Sequence, residues 1–125
     1  MNTDENPDPV TARIIGCAFK VFNTLGYGFL EKVYENALAH ELRKAGFAVE
    51  QQKPLPVFYD GIVVGDYYAD LVIDGAIVIE LKTAKAIDDS HIAQGLNYLR
   101  AGNTRRGLIL NFGPQRVEIR RLAMG

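Results

Sequence analysis

Apolar residues near the N-terminus recur at three- and four-residue spacing: Ile14, Ile15, Ala18, Phe19 and Phe22. That stripe predicts an amphipathic helix. Asp8 is a good N-cap, Pro9 suits a first helical turn, and Gly26 and Gly28 break the pattern. A second stripe, Leu30, Val33, Tyr34, Ala37, Leu38 and Leu42, predicts a helix over residues 30–45, ended by Gly46. The period then shortens. Residues 47–59 have strand character, but Pro54 and Pro56 remove ladder donors and suit an edge strand or an entry loop. Asp60-Gly61 reads as a hairpin turn. Residues 62–73 and 77–82 are rich in Val, Ile and Tyr and are joined by Asp74-Gly75. A third helix, capped by Asp88, Asp89 or Ser90, runs to about Ala101 and ends at Gly102-Asn103. Two short strands, 107–111 and 116–122, flank Gly113-Pro114.

The resulting order is α-α-β-β-β-α-β-β, an α+β or mixed α/β class with a sheet flanked by helices. A length of 125 residues predicts one compact domain over residues 9–125, preceded by a polar, disordered segment 1–8. With 48% of residues hydrophobic, a core forms without staples. The single cysteine, Cys17, excludes an internal disulfide framework and a Cys-rich zinc site, and its apolar neighbours predict a buried core position. There is no basic-then-apolar leader and no apolar run approaching about 18 residues, so a cytoplasmic protein without a membrane partner is expected. The net charge of −1 argues against a strong non-specific DNA binder. It hides an asymmetry, however. The last third gathers Arg100, Arg105, Arg106, Arg116, Arg120 and Arg121 against one acid, Glu118. Such a region can meet a phosphate backbone, or it can be an ordinary solvated surface.

The informative chemistry lies in residues 67–83, YYADLVIDGAIVIELKT. Side chains alternate faces along a strand. Leu71, Ile73, Ile77, Ile79 and Leu81 then form a core face, while Asp70, Glu80 and Lys82 gather on the other. Register decides whether the carboxylates meet. A two-residue Asp74-Gly75 turn would oppose Asp70 to Ile79, on the wrong face. A three-residue loop or one bulge brings Asp70 to the Glu80 side, and the apolar pattern prefers that register. Two converging carboxylates suit a hard cation such as Mg²⁺, and a lysine beside them can orient water or offset charge on a phosphate. Taken alone, a D-x₉-E-x-K spacing is more often a structural ion-pair cluster on a sheet face.

Longer motifs accompany that spacing. Gly28-Phe29-Leu30-Glu31-Lys32-Val33-Tyr34 reads GxxExxY, Glu80-Leu81-Lys82 reads (D/E)XK, and Ala69-Asp70 stands where a PD element has proline. With 94–99 and 107–113, these make the chain resemble the PD-(D/E)XK nuclease superfamily and, within it, the GxxExxY group. The resemblance spans about residues 14–121. It implies a restriction-endonuclease-like core and a metal-dependent nuclease acting on nucleic acid, with DNA expected ahead of RNA, and with Mg²⁺ or Mn²⁺ as cofactor. It implies catalytic roles for Asp70, Glu80, Lys82 and Glu31. Asp70, Glu80, Glu31 and the Leu81 carbonyl would be metal ligands. Gln94 and Tyr98 match a Q-x₃-Y element near nucleic acid; Tyr34, which is equally a core aromatic by position, and Lys85 are further candidate contacts. His40 and His91 carry no comparable signal. Cutting both strands of a duplex with so small a site points to a homodimer, although no interface signature stands out. The rival readings are a non-catalytic nucleic-acid-binding or adaptor module that keeps the fold, and a structural cluster in an unrelated enzyme.

Overall fold

A computed structural model describes residues 8–125; the rest of the N-terminal segment, 1–7, lies outside the described residues. Helix α1 spans Pro9–Leu25, α2 Glu31–Lys44 and α3 Asp89–Gly102. The strands are β1 Val49–Tyr59, β2 Ile62–Ile73, β3 Ile77–Lys82, β4 Arg106–Phe112 and β5 Val117–Ala123. The order is the one the sequence predicts, with bounds shifted by a residue or two.

The caps follow side-chain chemistry. Asp8 Oδ1 accepts from the Val10 N–H, and the Thr11 hydroxyl donates to Oδ2, which satisfies the open start of α1. Asp88 caps α3 in a reciprocal box: it accepts from the His91 N–H, while His91 Nδ1 accepts from the Asp88 N–H at 3.1 Å. His91 is thereby committed to the helix start.

Two helical stripes are corrected in detail. The buried line of α1 runs through Ile14, Ile15, Ala18 and Val21, so Phe19 lies off it and is 44% exposed. Cys17 is half-buried at its edge, not in the core. On α2 the buried residues are Tyr34, Glu35, Leu38, Ala39 and Leu42, whereas Leu30 is the exposed N-cap. Leu30 and Val33 are apolar without facing the core.

The five strands pair in sequence order, β1-β2-β3-β4-β5. All pairs are antiparallel except β3 with β4, which α3 connects as a parallel crossover. β1 is indeed an edge strand and carries Pro54 and Pro56. Asp60 and Gly61, both at positive φ, close the β1–β2 hairpin between the paired Tyr59 and Ile62. Ile73 opposes Ile77, which leaves a three-residue connection with Asp74 and Gly75 both left-handed.

The sheet is covered on both faces. Leu71, Ile73, Ile77, Ile79 and Leu81 pack with Leu108, Leu110 and Phe112 under α1 and α2. Val72 and Val78 pack with Leu55, Ala69, Leu99, Ile109 and Leu122 on the α3 side. The face that carries Asp70, Glu80 and Lys82 is therefore core as well, along Val72 and Val78. The crossover helix must lie on one face of a parallel pair, so that face also becomes core. Only the end of β3 beyond Val78 is left for chemistry.

Candidate active site

The three-residue connection sets the β2–β3 register, Leu71↔Ile79, Val72↔Val78 and Ile73↔Ile77. Continued by one step, it sets Asp70 opposite Glu80, but the regular ladder stops short of that pair. Side chains replace backbone there. Glu80 Oε2 accepts from the Asp70 N–H at 3.0 Å, and Asp70 Oδ2 accepts from the Leu81 N–H at 2.8 Å. The two carboxylates thus fill the place where the strands part.

The break extends into β1. Val49–Gln51 and Lys53–Val57 pair with β2 in one register, yet Gln52, opposite Asp70, drops out of the ladder with φ 52°. A left-handed non-glycine residue costs on the order of 1–2 kcal/mol. What offsets it is the aim of the Gln52 amide, which donates to Asp70 Oδ1 at 3.2 Å and to Glu35 Oε1 at 2.8 Å. Glu35 is buried on α2 and also accepts from Gln51 at 2.7 Å and Lys32 at 2.9 Å. A chain of contacts therefore runs from α2 through β1 to Asp70. Ala69, where the PD element has proline, faces the α3-side core.

Glu35, Gln51 and Gln52 escaped the sequence reading. The available signal was a glutamate one turn after Glu31 on the side of Tyr34 and Leu38, facing a pair of adjacent glutamines in an edge strand.

Glu31 opens α2, half-buried, and the loop before it is tied down by Tyr34. The Tyr34 hydroxyl donates to the Gly26 carbonyl and accepts from the Phe29 N–H, and its ring stacks on Phe112 with centroids 4.6 Å apart. Gly28 has φ 114°, a conformation that L side chains rarely adopt. The spacing Gly28, Glu31, Tyr34 is thus a local device: a turn, an acid at a helix start, and an anchor. Tyr34 is wholly buried, which corrects its expected role as a nucleic-acid contact.

Lys82 lies one step of alternation past Glu80 and donates to the Gln94 side-chain oxygen at 2.8 Å. Tyr98, one turn after Gln94, is half-buried with its ring 4.9 Å from that of Tyr67. Lys85 is exposed beyond the end of β3. His40 lies on the exposed side of α2, and His91 is the cap partner already described. Neither histidine joins the cluster.

Electrostatics tie the acids together. Burial, reinforced by the Asp70 charge, pushes Glu80 up to about 9, against the pull of the Asp70 N–H and Lys82. Burial likewise raises Asp70, although the Leu81 N–H and Gln52 oppose it. Burial and the Asp70 charge raise Glu31. Burial, then Glu80 and Asp70, raise the Tyr98 phenol. Negative charge is crowded here beyond what Lys82 relieves.

Among the described residues, no three His, Cys, Asp or Glu side chains form a finished cage for an ion. Mg²⁺ and similar ions do not require one, since they take one or two carboxylates plus waters and substrate oxygens. Asp70 and Glu80 supply that hard-oxygen donor set, and their crowded charge is what a cation relieves. The residues fit such an ion.

A family model describing the PD-(D/E)XK nuclease superfamily matches residues 8–122. The chain belongs to that superfamily. Its nucleases typically use divalent metal ions, and the mixed five-stranded sheet flanked by helices is the restriction-endonuclease-like fold. The crystal structure of SSO0001 is similar, with a TM-score of 0.59 and 22% sequence identity, over 74% of this chain and 48% of that one. The chain thus spans about half the length of that protein, and the likeness bears on the fold alone. No curated protein matches the chain. Among the described residues, no helix is long and apolar enough to cross a membrane.

Proposed function

We propose that the chain is a cytoplasmic, divalent-metal-dependent nuclease of the GxxExxY group that hydrolyses phosphodiester bonds of DNA. The observation that carries the reading is the convergence of Asp70 and Glu80 where β2 and β3 part, with Lys82 beside them on β3. Asp70 and Glu80, with Glu31 and the Leu81 carbonyl, would hold Mg²⁺ or Mn²⁺. When bound, such an ion polarises a phosphodiester and makes a nearby water more acidic.

The chain's own residues supply the rest. Gln94 holds the Lys82 ammonium at 2.8 Å, which fixes a positive charge beside the carboxylates. That ammonium orients the attacking water and offsets charge developing on the phosphate oxygens. Gln52 and Glu35 hold Asp70 in place through the β1 break. Tyr34 sets the loop that presents Glu31. Gln94, Tyr98 and Lys85 would contact a substrate strand. Cutting both strands of a duplex would call for two such sites and so a homodimer.

The test is cleavage of single-stranded, duplex and branched DNAs with Mn²⁺ and with EDTA, by the parent and by Lys82→Ala. Cleavage by the parent only with metal is expected. Lys82→Ala should lose it while Mn²⁺ still raises its melting temperature. A parent that cuts no substrate with any divalent metal would favour the adaptor module instead.

A further inference from the structure

Two cavities are lined in part by residues a few positions along the chain from the candidate active site, and both pair an aromatic ring with a cation. The first, about 510 Å³, is lined by Tyr27, Lys85, Gly113, Pro114, Arg116 and Glu118. It adjoins the acids through two short stretches of chain: Tyr27 stands four residues before Glu31, and Lys85 three after Lys82. Tyr27 is 53% exposed. The one acid in the wall, Glu118, is engaged in holding the fold, because its Oε1 accepts from the Ile87 N–H at 3.2 Å and the Asn111 amide at 3.0 Å. Lys85 and Arg116 are left facing the space with the tyrosine.

The second cavity, about 420 Å³, is lined by Pro56, Phe58, Tyr67, Asn97 and Arg100, among others. It connects to the site through β2 and α3. Tyr67, three residues before Asp70, packs on Tyr98, which lies one turn after the Gln94 that holds Lys82. Phe58 is 63% exposed, and Arg100 is exposed with one nitrogen 3.0 Å from Asn97 Oδ1.

Exposed rings beside single cations are what an unpaired strand requires. Its bases are free to stack on aromatic faces, and cations beside those rings meet its phosphates. A duplex hides its base faces and is held mainly by many phosphate contacts, which a net charge of −1 does not favour. We infer that this site takes unpaired nucleic acid, laid from the Phe58–Tyr67–Arg100 cavity past Glu80 to the Tyr27–Lys85–Arg116 cavity, with a base stacked at each end. This assignment of substrate class rests on the nuclease reading of the same site.

Binding can be measured apart from cutting, in EDTA, by fluorescence anisotropy. The probes are a labelled oligothymidine of about 16 nucleotides, the upper end of single-strand site sizes, and a blunt duplex of equal length. The oligothymidine should bind at least roughly tenfold more tightly than the duplex. Tyr27→Ala and Tyr67→Ala should each weaken it by roughly tenfold, and leave duplex binding unchanged. Tyr67→Phe keeps the ring and should bind like the parent. Arg116→Ala should reduce the salt dependence of single-strand binding by about 0.7 in log–log slope, the loss of one phosphate contact. Equal affinity for the two probes, or tyrosine variants that bind like the parent, would overturn the inference.

Cleavage separates this from the underlying reading. Tyrosine-dependent single-strand binding by a parent that cuts nothing with Mn²⁺ would sink the nuclease and leave the strand assignment standing. Undiminished Mn²⁺-dependent cutting of duplex by both tyrosine variants would do the reverse. Binding of neither probe would overturn both.

Discussion

Replacing Glu80 by glutamine tests the crowded site without any substrate. Glu80 is 4% exposed, and burial beside Asp70 raises its pKa from 4.5 to about 9 in the metal-free fold. In the unfolded chain the same group ionises near its ordinary value. Between about pH 6 and about pH 8 the folded protein therefore holds one proton more than the unfolded one, and stability falls as pH rises, by at most about 1.4 kcal/mol per unit. The destabilisation is absent below the unfolded value and reaches its full size only once pH passes the folded one. Glu80→Gln carries no titrating group and keeps an oxygen for the Asp70 N–H, the contact seen at 3.0 Å. Across that interval the variant should gain on the parent by on the order of 3 kcal/mol, or roughly 10 °C in melting temperature for a domain of this size. Thermal unfolding in EDTA at several pH values reads this directly. Saturating Mn²⁺ should flatten the parent's slope and do much less for the variant. Asp70→Asn is a poorer probe, because both Asp70 oxygens already accept, from the Leu81 N–H and from Gln52, and an amide would set donor against donor. Parallel pH curves for parent and Glu80→Gln, or a variant less stable than the parent at every pH, would refute the reasoning and make Glu80 a group that holds the fold.

Three further outcomes are expected. Tyr34→Phe removes the hydroxyl that bonds the Gly26 carbonyl and the Phe29 N–H, and should cost about 1 kcal/mol by urea unfolding while nucleic-acid binding persists. Gly107→Ala would place a Cβ 2.8 Å from both the Val78 carbonyl oxygen and Leu99 Cδ2, so the β3–β4 pair must spread; a loss of roughly 1–3 kcal/mol should appear in the same assay. Burial opposes ionisation of Asp8, but hydrogen bonds from Arg106, Thr11 and the Val10 N–H outweigh it and hold the pKa below 3.8. Asp8→Ala should therefore cost about 1 kcal/mol near neutral pH, and melting curves of the two proteins should converge as acid takes the pH below the folded Asp8 value.

The elements were largely legible in the chain. Helix starts at Asp8 and Asp88 and the turns at Asp60-Gly61 and Asp74-Gly75 are local chemistry, set by residues that either accept from a neighbouring N–H or tolerate positive φ. The preference of Leu71 and Ile73 for the face of Ile77, Ile79 and Leu81 likewise specified the β2–β3 register, because a slip of one residue turns apolar side chains out of the core.

Less of the site was legible. Pattern gathered Asp70, Glu80 and Lys82 on one face, but it did not show what else that face carries. Only the parallel crossover of α3 decided that Val72 and Val78 would be buried there and that the acids would sit in a gap between parting strands. Tyr34 looked the same in the chain whether it faced solvent or core, until Phe112, 78 positions away, supplied the ring it stacks on. Glu35 and Gln52 are ordinary polar residues in sequence. They become the supports of Asp70 only because α2 crosses the sheet where β1 breaks its ladder. Period, caps and turns act over a few residues, so the sequence alone determines them. Burial, raised pKa values and the convergence of carboxylates depend on what lies across the fold, and tertiary structure decides those.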